Sequence, residues 1–135
     1  MSPLEQPPLH IILIDDEPSV LFALRLLMQA CGHQVQDFNS PEVATSYFAE
    51  KPGEIINKFD LIVCDLKMPK KSGLTVLSDA KNYLPTLPFI LMSAHATLEE
   101  QEQARILGCS GFLAKPFTPA QLKELIEALR FAEAV

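Results

Sequence analysis

The sequence predicts an α/β fold in which a five-stranded parallel sheet is covered on both faces by helices. Residues 11–14, 61–64, 89–92 and 111–114 form short apolar runs, which are typical of strands buried on both faces. Segments with a helical period separate these runs, and this alternation favours parallel strands joined by right-handed crossovers. About a third of the 135 residues are Val, Ile, Leu or Phe, so we expect one domain with its own core.

The elements of the first half follow from local signals. A helix is predicted over residues 18–31, where apolar side chains recur on one face before Gly32 ends it. Residues 34–38 are the candidate for the second strand, and their polar character suits a sheet edge. The second helix begins at Ser40, a capping residue followed by proline. The stretch 51–58 is interpreted as an irregular surface loop.

The second half predicts three more helices. The third has its apolar residues on one face, namely Val76, Leu77, Ala80 and Leu84. The fourth begins with a capping box at Thr97 and ends at Gly108, but its apolar stripe is weak. We therefore expect it to be held loosely by the core. The last helix begins with a second capping box at Thr118.

Composition excludes several classes of protein. The net charge of −6 argues against direct nucleic-acid binding, which requires clustered cations. Cys31, Cys64 and Cys109 have no metal-binding or redox spacing, and we interpret them as buried, reduced residues of a cytoplasmic protein. No apolar run is long enough to cross a membrane.

The ends of the chain differ from its body. Residues 1–8 contain several prolines and lack the pattern of a signal peptide, so we expect a disordered lead-in. The domain is predicted over 9–131, and residues 132–135 form a tail or the start of a linker helix, since neither glycine nor proline ends the last helix.

Polar residues follow four of the predicted strands. Asp15 and Asp16 follow the first strand, Asp65 the third, Ser93 the fourth and Lys115 the fifth. Ligands of open parallel sheets bind outside the carboxyl ends of the strands, so we expect these side chains to converge.

Three carboxylates in one pocket require a cation. Oxygen ligands select a hard ion such as Mg²⁺, which takes its remaining ligands from water and phosphate. The lysine and the metal would also keep one aspartate ionised and able to attack phosphorus, giving an aspartyl phosphate.

These motifs resemble those of the response-regulator receiver domain, the CheY-like phospho-acceptor domain of two-component signalling. The resemblance covers residues 9–131 and rests on four motifs in order: the acidic pair, Asp-x-x-Met-Pro from Asp65, Ser93-Ala94 and Lys115-Pro116. It implies a flavodoxin-like (βα)5 fold with strand order 2-1-3-4-5.

The resemblance also implies a role for each residue of the acidic pocket. Asp65 would be phosphorylated. Asp16, Asp65 and the backbone carbonyl of Lys67 would bind Mg²⁺ directly, while Asp15 would act mainly through water. Ser93, where the family more often has threonine, would donate a hydrogen bond to a phosphoryl oxygen.

Further roles concern the response to phosphorylation. Lys115 would pair with the carboxylate at rest and with the phosphoryl group afterwards, and the bond to Pro116 would be cis. Phe112 matches the switch aromatic, which turns inward when Ser93 moves. The fourth predicted helix, the fifth strand and the last helix would form the signalling face. Lys67 and His95 occupy positions that tune the loss of the phosphoryl group, although His95 taken alone is a rim residue.

The partners implied are a histidine kinase or histidine phosphotransfer protein as donor, and a downstream protein target or covalently linked output domain. A phosphorylation-strengthened homodimer through the last helices is compatible with the resemblance. The domain would be no enzyme beyond catalysing its own phosphotransfer and autodephosphorylation.

Three alternatives compete with a phospho-switch. A phosphatase would use an Asp-x-Asp motif and a cap domain, whereas Leu66 and Lys67 follow Asp65 here. A nucleotide-binding or flavin-binding module would need a glycine-rich phosphate loop, which is missing after the first strand. A metal-free scaffold is disfavoured because every acidic position is intact.

Overall fold

Five strands lie within residues 7–134, which are the residues that this computed structural model describes. They are β1 (His10–Ile14), β2 (Gln34–Phe38), β3 (Leu61–Asp65), β4 (Phe89–Ser93) and β5 (Gly111–Ala114). All pair in parallel, in the order β2-β1-β3-β4-β5. The predicted fold class and strand order are confirmed. Most of the predicted lead-in, residues 1–6, and Val135 of the predicted tail lie outside the described residues.

Six helices occur in the same part of the chain, one more than predicted. They are α1 (Pro18–Ala30), α2 (Pro41–Glu50), α3 (Pro52–Lys58), α4 (Gly73–Tyr83), α5 (Leu98–Ile106) and α6 (Pro119–Ala134). The extra helix is α3, and the prediction of an irregular loop over 51–58 was wrong. Proline opens this seven-residue helix and Ile55 is buried in the core, but so short a segment shows no readable period.

The predicted helix caps are present. The Ser40 hydroxyl accepts a hydrogen bond from the backbone N–H of Val43 at 3.2 Å, and Thr97 forms a complete capping box with Glu100. Gly32 follows α1 with a φ of +94°, a left-handed conformation that favours glycine. The local signals in the sequence therefore set where these helices begin and end.

The sheet separates two apolar layers. Alternate residues of β1 point to opposite faces: Ile12 and Ile14 join the layer under α2 to α5, while Ile11 and Leu13 join the layer under α1 and α6. All four are fully buried, and each such side chain contributes about 1.5–3 kcal/mol of transfer free energy. Burial on both faces explains why the strands are continuous apolar runs.

The cysteines are only partly as expected. All three are free thiols, but Cys64 alone of the three is buried, while Cys31 and Cys109 are half-buried. In the described part of the chain, every helix is too short or too polar to span a membrane.

Candidate functional site

The sheet register brings Asp15 and Asp65 side by side. Ile14 pairs with Cys64, so the next residue of each strand, Asp15 after β1 and Asp65 at the end of β3, lies at the same edge. Both are buried, with 1% and 7% of their surface exposed. Two neighbouring carboxylates are therefore largely shielded from solvent, which is costly without a cation.

Lys115 supplies a positive charge to this pocket. Its Nζ lies 2.7 Å from Oδ2 of Asp15 and 3.1 Å from Oδ1 of Asp65. The Lys115 backbone N–H donates to the carbonyl of Ser93 at 2.9 Å, which extends the pairing of β4 with β5 and fixes where the side chain starts. The bond from Lys115 to Pro116 is cis.

The pKa values of Asp65 and Lys115 are both raised, so the pocket favours the protonated form of each group. Burial raises the pKa of Asp65; Lys115 opposes this shift, and the negative charge of Asp15 adds to it. Burial alone would lower the pKa of Lys115, but the hydrogen bond and charge of Asp15, together with Asp65, outweigh it and raise the pKa. A further cation would therefore favour the ionised form of Asp65.

Asp16 completes an oxygen-rich cluster. Asp15, Asp16 and Asp65 each offer one carboxylate oxygen, and these atoms lie within 4.8 Å of one another. Asp15 has partners on both oxygens, because Oδ1 accepts from the backbone N–H of Glu17 at 3.0 Å and Oδ2 faces Lys115. Asp16, which is half-buried, and Asp65, which is buried, are therefore the better candidates for direct ligands. This donor set fits a hard divalent cation such as Mg²⁺.

Ser93 lies at the end of β4 and is buried, with 3% of its surface exposed. Its hydroxyl accepts a hydrogen bond from the backbone N–H of His95 at 3.2 Å, while the cap of α5 is Thr97. A cleft of about 520 Å³ adjoins it, lined by Ser93, Ala94, His95, Ala96, Thr97, Gln101, Phe112 and Ala114. Half-buried Phe112 thus lines the same cleft as the Ser93 hydroxyl, and exposed His95 lies on its rim.

The loop after β3 reaches across to α5. Exposed Lys67 follows Asp65 by two residues, and its Nζ lies 2.9 Å from Oε1 of Glu100. A hydrogen bond from the backbone of Thr97 lowers the pKa of Glu100, and the hydrogen bond and charge of Lys67 lower it further. The helix cap at Thr97 and the ammonium of Lys67 thus both favour the ionised form of Glu100.

Gly73, the first residue of α4, is a site residue that the sequence did not reveal. A Cβ there would lie 2.8 Å from Cα of Leu66 and closer still to the carbonyl oxygen of Asp65. The Gly73 N–H also donates to the carbonyl of Leu66 at 2.9 Å. Gly73 therefore lets α4 pack directly against the backbone of Asp65 and Leu66, whereas in the sequence it is only a small residue after a capping serine.

A comparison with known families identifies the chain. The family model described as "Response regulator receiver domain" matches residues 11–127. The chain belongs to this family. This match confirms the resemblance inferred from the strand-end motifs. The receiver domain is a signalling module.

Curated relatives of the receiver domain are longer than this chain. The transcriptional regulatory protein KdpE of Mycobacterium tuberculosis is 33% identical over 122 residues, which cover 90% of this chain and 50% of that protein. The transcriptional regulatory protein ZraR of Salmonella typhimurium is 29% identical over 88% of this chain and 26% of its own length. The chain thus spans half or less of the length of these relatives, which are regulators rather than enzymes by name.

Solved structures show the same architecture. A response regulator receiver domain from Clostridium thermocellum matches with a TM-score of 0.82 and 28% identity, covering 93% of this chain and 97% of that one. The chemotaxis protein CheY4 of Vibrio cholerae matches with a TM-score of 0.77 at 19% identity, over 91% of this chain and 99% of that one, which supports the fold alone.

Proposed function

We propose that this receiver domain accepts a phosphoryl group on Asp65 from a histidine kinase or histidine phosphotransfer protein in a Mg²⁺-dependent reaction. The observation that carries the proposal is the Lys115 ammonium, which bridges buried Asp15 and Asp65 beside a third carboxylate. This arrangement keeps a nucleophilic carboxylate poised next to positive charge at the binding edge of the sheet.

The residues of the pocket would divide the work. A carboxylate oxygen of Asp65 attacks phosphorus as the P–N bond to the donor histidine breaks, and Lys115 pairs with the incoming phosphoryl oxygens. Asp16, Asp65 and the backbone carbonyl of Lys67 would hold Mg²⁺, and Asp15 would act through water and through Lys115. The metal supplies charge neutralisation and alignment.

The response to phosphorylation would begin at Ser93. Its hydroxyl exchanges the present contact with the His95 backbone for a phosphoryl oxygen, and Phe112 turns inward along the cleft that both residues line. The signalling face is then α5, β5 and α6. Lys67 and His95, which border the pocket, would tune the lifetime of the phosphoryl group.

The donor protein can dock beside the pocket. An apolar groove of about 530 Å³ adjoins Lys115. It is lined by α1, by Ala94 after β4 and by the segment after β5: Ser19, Val20, Ala23, Leu24, Leu27, Ala94, Lys115, Pro116 and Phe117. An apolar helix of a kinase or phosphotransfer protein laid in this groove would bring its histidine close to Asp65.

The remaining partners follow from the relatives. The regulators named above extend well beyond the matched region, which supports a downstream target or a covalently linked output domain. We also propose a cytoplasmic location with reduced cysteines, no direct nucleic-acid contact by this acidic domain, and a homodimer strengthened by phosphorylation.

Intact-mass measurement tests the acceptor role. The wild-type chain, Asp65→Asn and the control Asp60→Asn are incubated with acetyl phosphate, with and without Mg²⁺, and the adduct is mapped. We expect one Mg²⁺-dependent phosphoryl adduct that is lost in Asp65→Asn and kept in Asp60→Asn, because Asp60 lies at the opposite edge of the sheet, where it accepts from the N–H of His10. An adduct that survives in Asp65→Asn contradicts the proposed acceptor. The absence of any adduct on the wild-type chain contradicts the proposal and favours a metal-free scaffold.

A further inference from the structure

The ion pair of Lys67 with Glu100 connects the loop that follows Asp65 to the proposed signalling face. Lys67 belongs to the loop that follows Asp65, and Glu100 belongs to the first turn of α5. Their charged atoms are 2.9 Å apart, and the side chains are 54% and 23% exposed. The pair therefore links the loop after β3 to the helix that follows the neighbouring strand β4.

One carboxylate oxygen serves both the ion pair and the helix cap. Oε1 of Glu100 accepts from the backbone N–H of Thr97 at 3.0 Å and also faces Nζ of Lys67. In return, the Glu100 N–H donates to the Thr97 hydroxyl at 3.0 Å. Any movement of Lys67 thus changes the electrostatic surroundings of the cap at the start of α5.

The body of α5 is weakly attached to the domain. Among the described residues of α5, Ala104 is the one that is buried and Glu100 is half-buried, while the others, including Leu98 and Ile106, are exposed. With so little apolar contact, the Lys67–Glu100 ion pair, here called the tether, adds to the capping box in holding the first turn in place.

We propose that Glu100 is the resting counter-ion of Lys67, and that a phosphoryl group on Asp65 draws the Lys67 ammonium away and releases the first turn of α5. The inference rests on the proposed phosphorylation of Asp65. It makes Glu100 a positioning residue that acts through Lys67 along a route separate from Ser93 and Phe112.

Charge decides the direction of this exchange. A phosphoryl group carries more negative charge than a carboxylate and offers three strong acceptor oxygens. The Lys67 ammonium sits on a flexible four-carbon stem, and Lys67 follows Asp65 by two residues, so we expect the ammonium to reach either anion.

Matched variants separate the ion pair from the cap. Glu100→Gln removes the charge but keeps a side chain that completes a capping box. Glu99→Gln makes the same change of charge in the same helical turn, and Lys67→Met removes the ammonium. Lys70→Met, on the same loop and exposed, is the control for Lys67.

Hydrogen exchange of the α5 amides tests the resting tether without phosphorylation. We expect Glu100→Gln and Lys67→Met to speed exchange in the first turn of α5 by about two- to five-fold, as the loss of a partly exposed ion pair implies. Glu99→Gln and Lys70→Met should leave it unchanged, and beryllofluoride should speed it in the wild type. Equal exchange in Glu100→Gln and Glu99→Gln overturns the tether.

Phosphoryl lifetime tests the exchange of partners. Glu100→Gln frees the ammonium and Lys67→Met removes it, so the two variants should change the dephosphorylation rate in opposite directions by about two-fold or more. In a Lys67→Met background, Glu100→Gln should have no effect. A change that persists in that background overturns the inference, because Glu100 would then act without Lys67.

The two proposals fail in different ways. A wild-type chain that takes no phosphoryl group overturns the acceptor role and the release step together. A wild-type chain with a normal adduct on Asp65, but with Glu100→Gln behaving like Glu99→Gln, overturns the release step alone.

Discussion

The Lys115 ammonium nitrogen lies 2.7 Å from Oδ2 of Asp15, a carboxylate whose residue is 1% exposed. Removing one partner of a buried ion pair leaves the other charge without compensation, which costs far more than the net value of the pair. Lys115 is therefore needed for stability as well as for its proposed role in phosphoryl binding, and a divalent cation in the pocket could replace part of its charge.

Lys115→Met should lower the free energy of unfolding by about 2–3 kcal/mol in EDTA, somewhat below the range for fully buried pairs because the lysine side chain is 19% exposed. Mg²⁺ should stabilise this variant more than the wild type, since binding to the folded state alone adds stability. Urea unfolding with and without Mg²⁺ measures both effects. The control Lys70→Met should behave like the wild type. If Mg²⁺ stabilised Lys115→Met and the wild type equally, the cation would not replace the charge of Lys115.

Gly73→Ala should destabilise the domain by about 1–3 kcal/mol and slow phosphorylation, because the new methyl group overlaps the backbone of Asp65 and Leu66. The matched change Gly53→Ala, in α3, meets nothing within 4 Å and should stabilise by up to about 1 kcal/mol. Thermal unfolding and the rate of adduct formation with acetyl phosphate measure the two effects. Normal phosphorylation of Gly73→Ala would show that the close approach is not needed.

His33 gives the domain a pH-dependent stability far from the acidic pocket. Burial lowers the pKa of its imidazole below 6.5, and the positive charges of Arg130 and Lys123 lower it further. The unfolded chain therefore binds the proton first as the pH falls, so this stability is complete above about pH 6.5 and is lost below it. The ring Nδ1 accepts from the N–H of Leu9 at 3.0 Å, a contact that only the neutral ring can make.

Urea unfolding between pH 8 and 5 should show the wild type losing stability relative to His33→Phe below about pH 6.5, with a slope no steeper than about 1.4 kcal/mol per pH unit for one proton. A stability difference that does not vary with pH would mean that His33 titrates alike in both states.

Ser93→Ala should cost about 1 kcal/mol of stability through the lost hydrogen bond to the His95 N–H, and should disconnect Phe112 from the phosphoryl group. Ser93→Thr, which keeps the hydroxyl, should retain the response. NMR of the Phe112 ring with and without beryllofluoride provides the measurement. A normal shift of the ring in Ser93→Ala would place the switch elsewhere.

Local patterns in the sequence predicted much of the fold and the site. Buried parallel strands are continuous apolar runs, and the carboxyl ends of such strands meet at one edge, so the sequence predicted that Asp15, Asp65 and Lys115 converge. The caps at Ser40, Thr97 and Thr118 were readable because a capping side chain bonds within three residues of its own position.

Features that depend on packing between distant segments were not predicted. The close contact of Gly73 with the backbone of Asp65, and the pairing of Lys67 with Glu100, join residues whose sequence neighbours carry no sign of the contact. The helix α3 was missed for a related reason, since seven residues with one buried side chain cannot display a period.

The small buried contact of α5 affects which sequence changes this helix tolerates. Since Ala104 is the one buried residue within the described length of α5, substitutions at its outward positions, such as Leu98 and Ile106, leave the hydrophobic core intact. Sequence changes on this helix therefore cost little folding free energy. Under the proposed function, the binding surface of α5 can change while the acidic pocket around Asp65 stays the same.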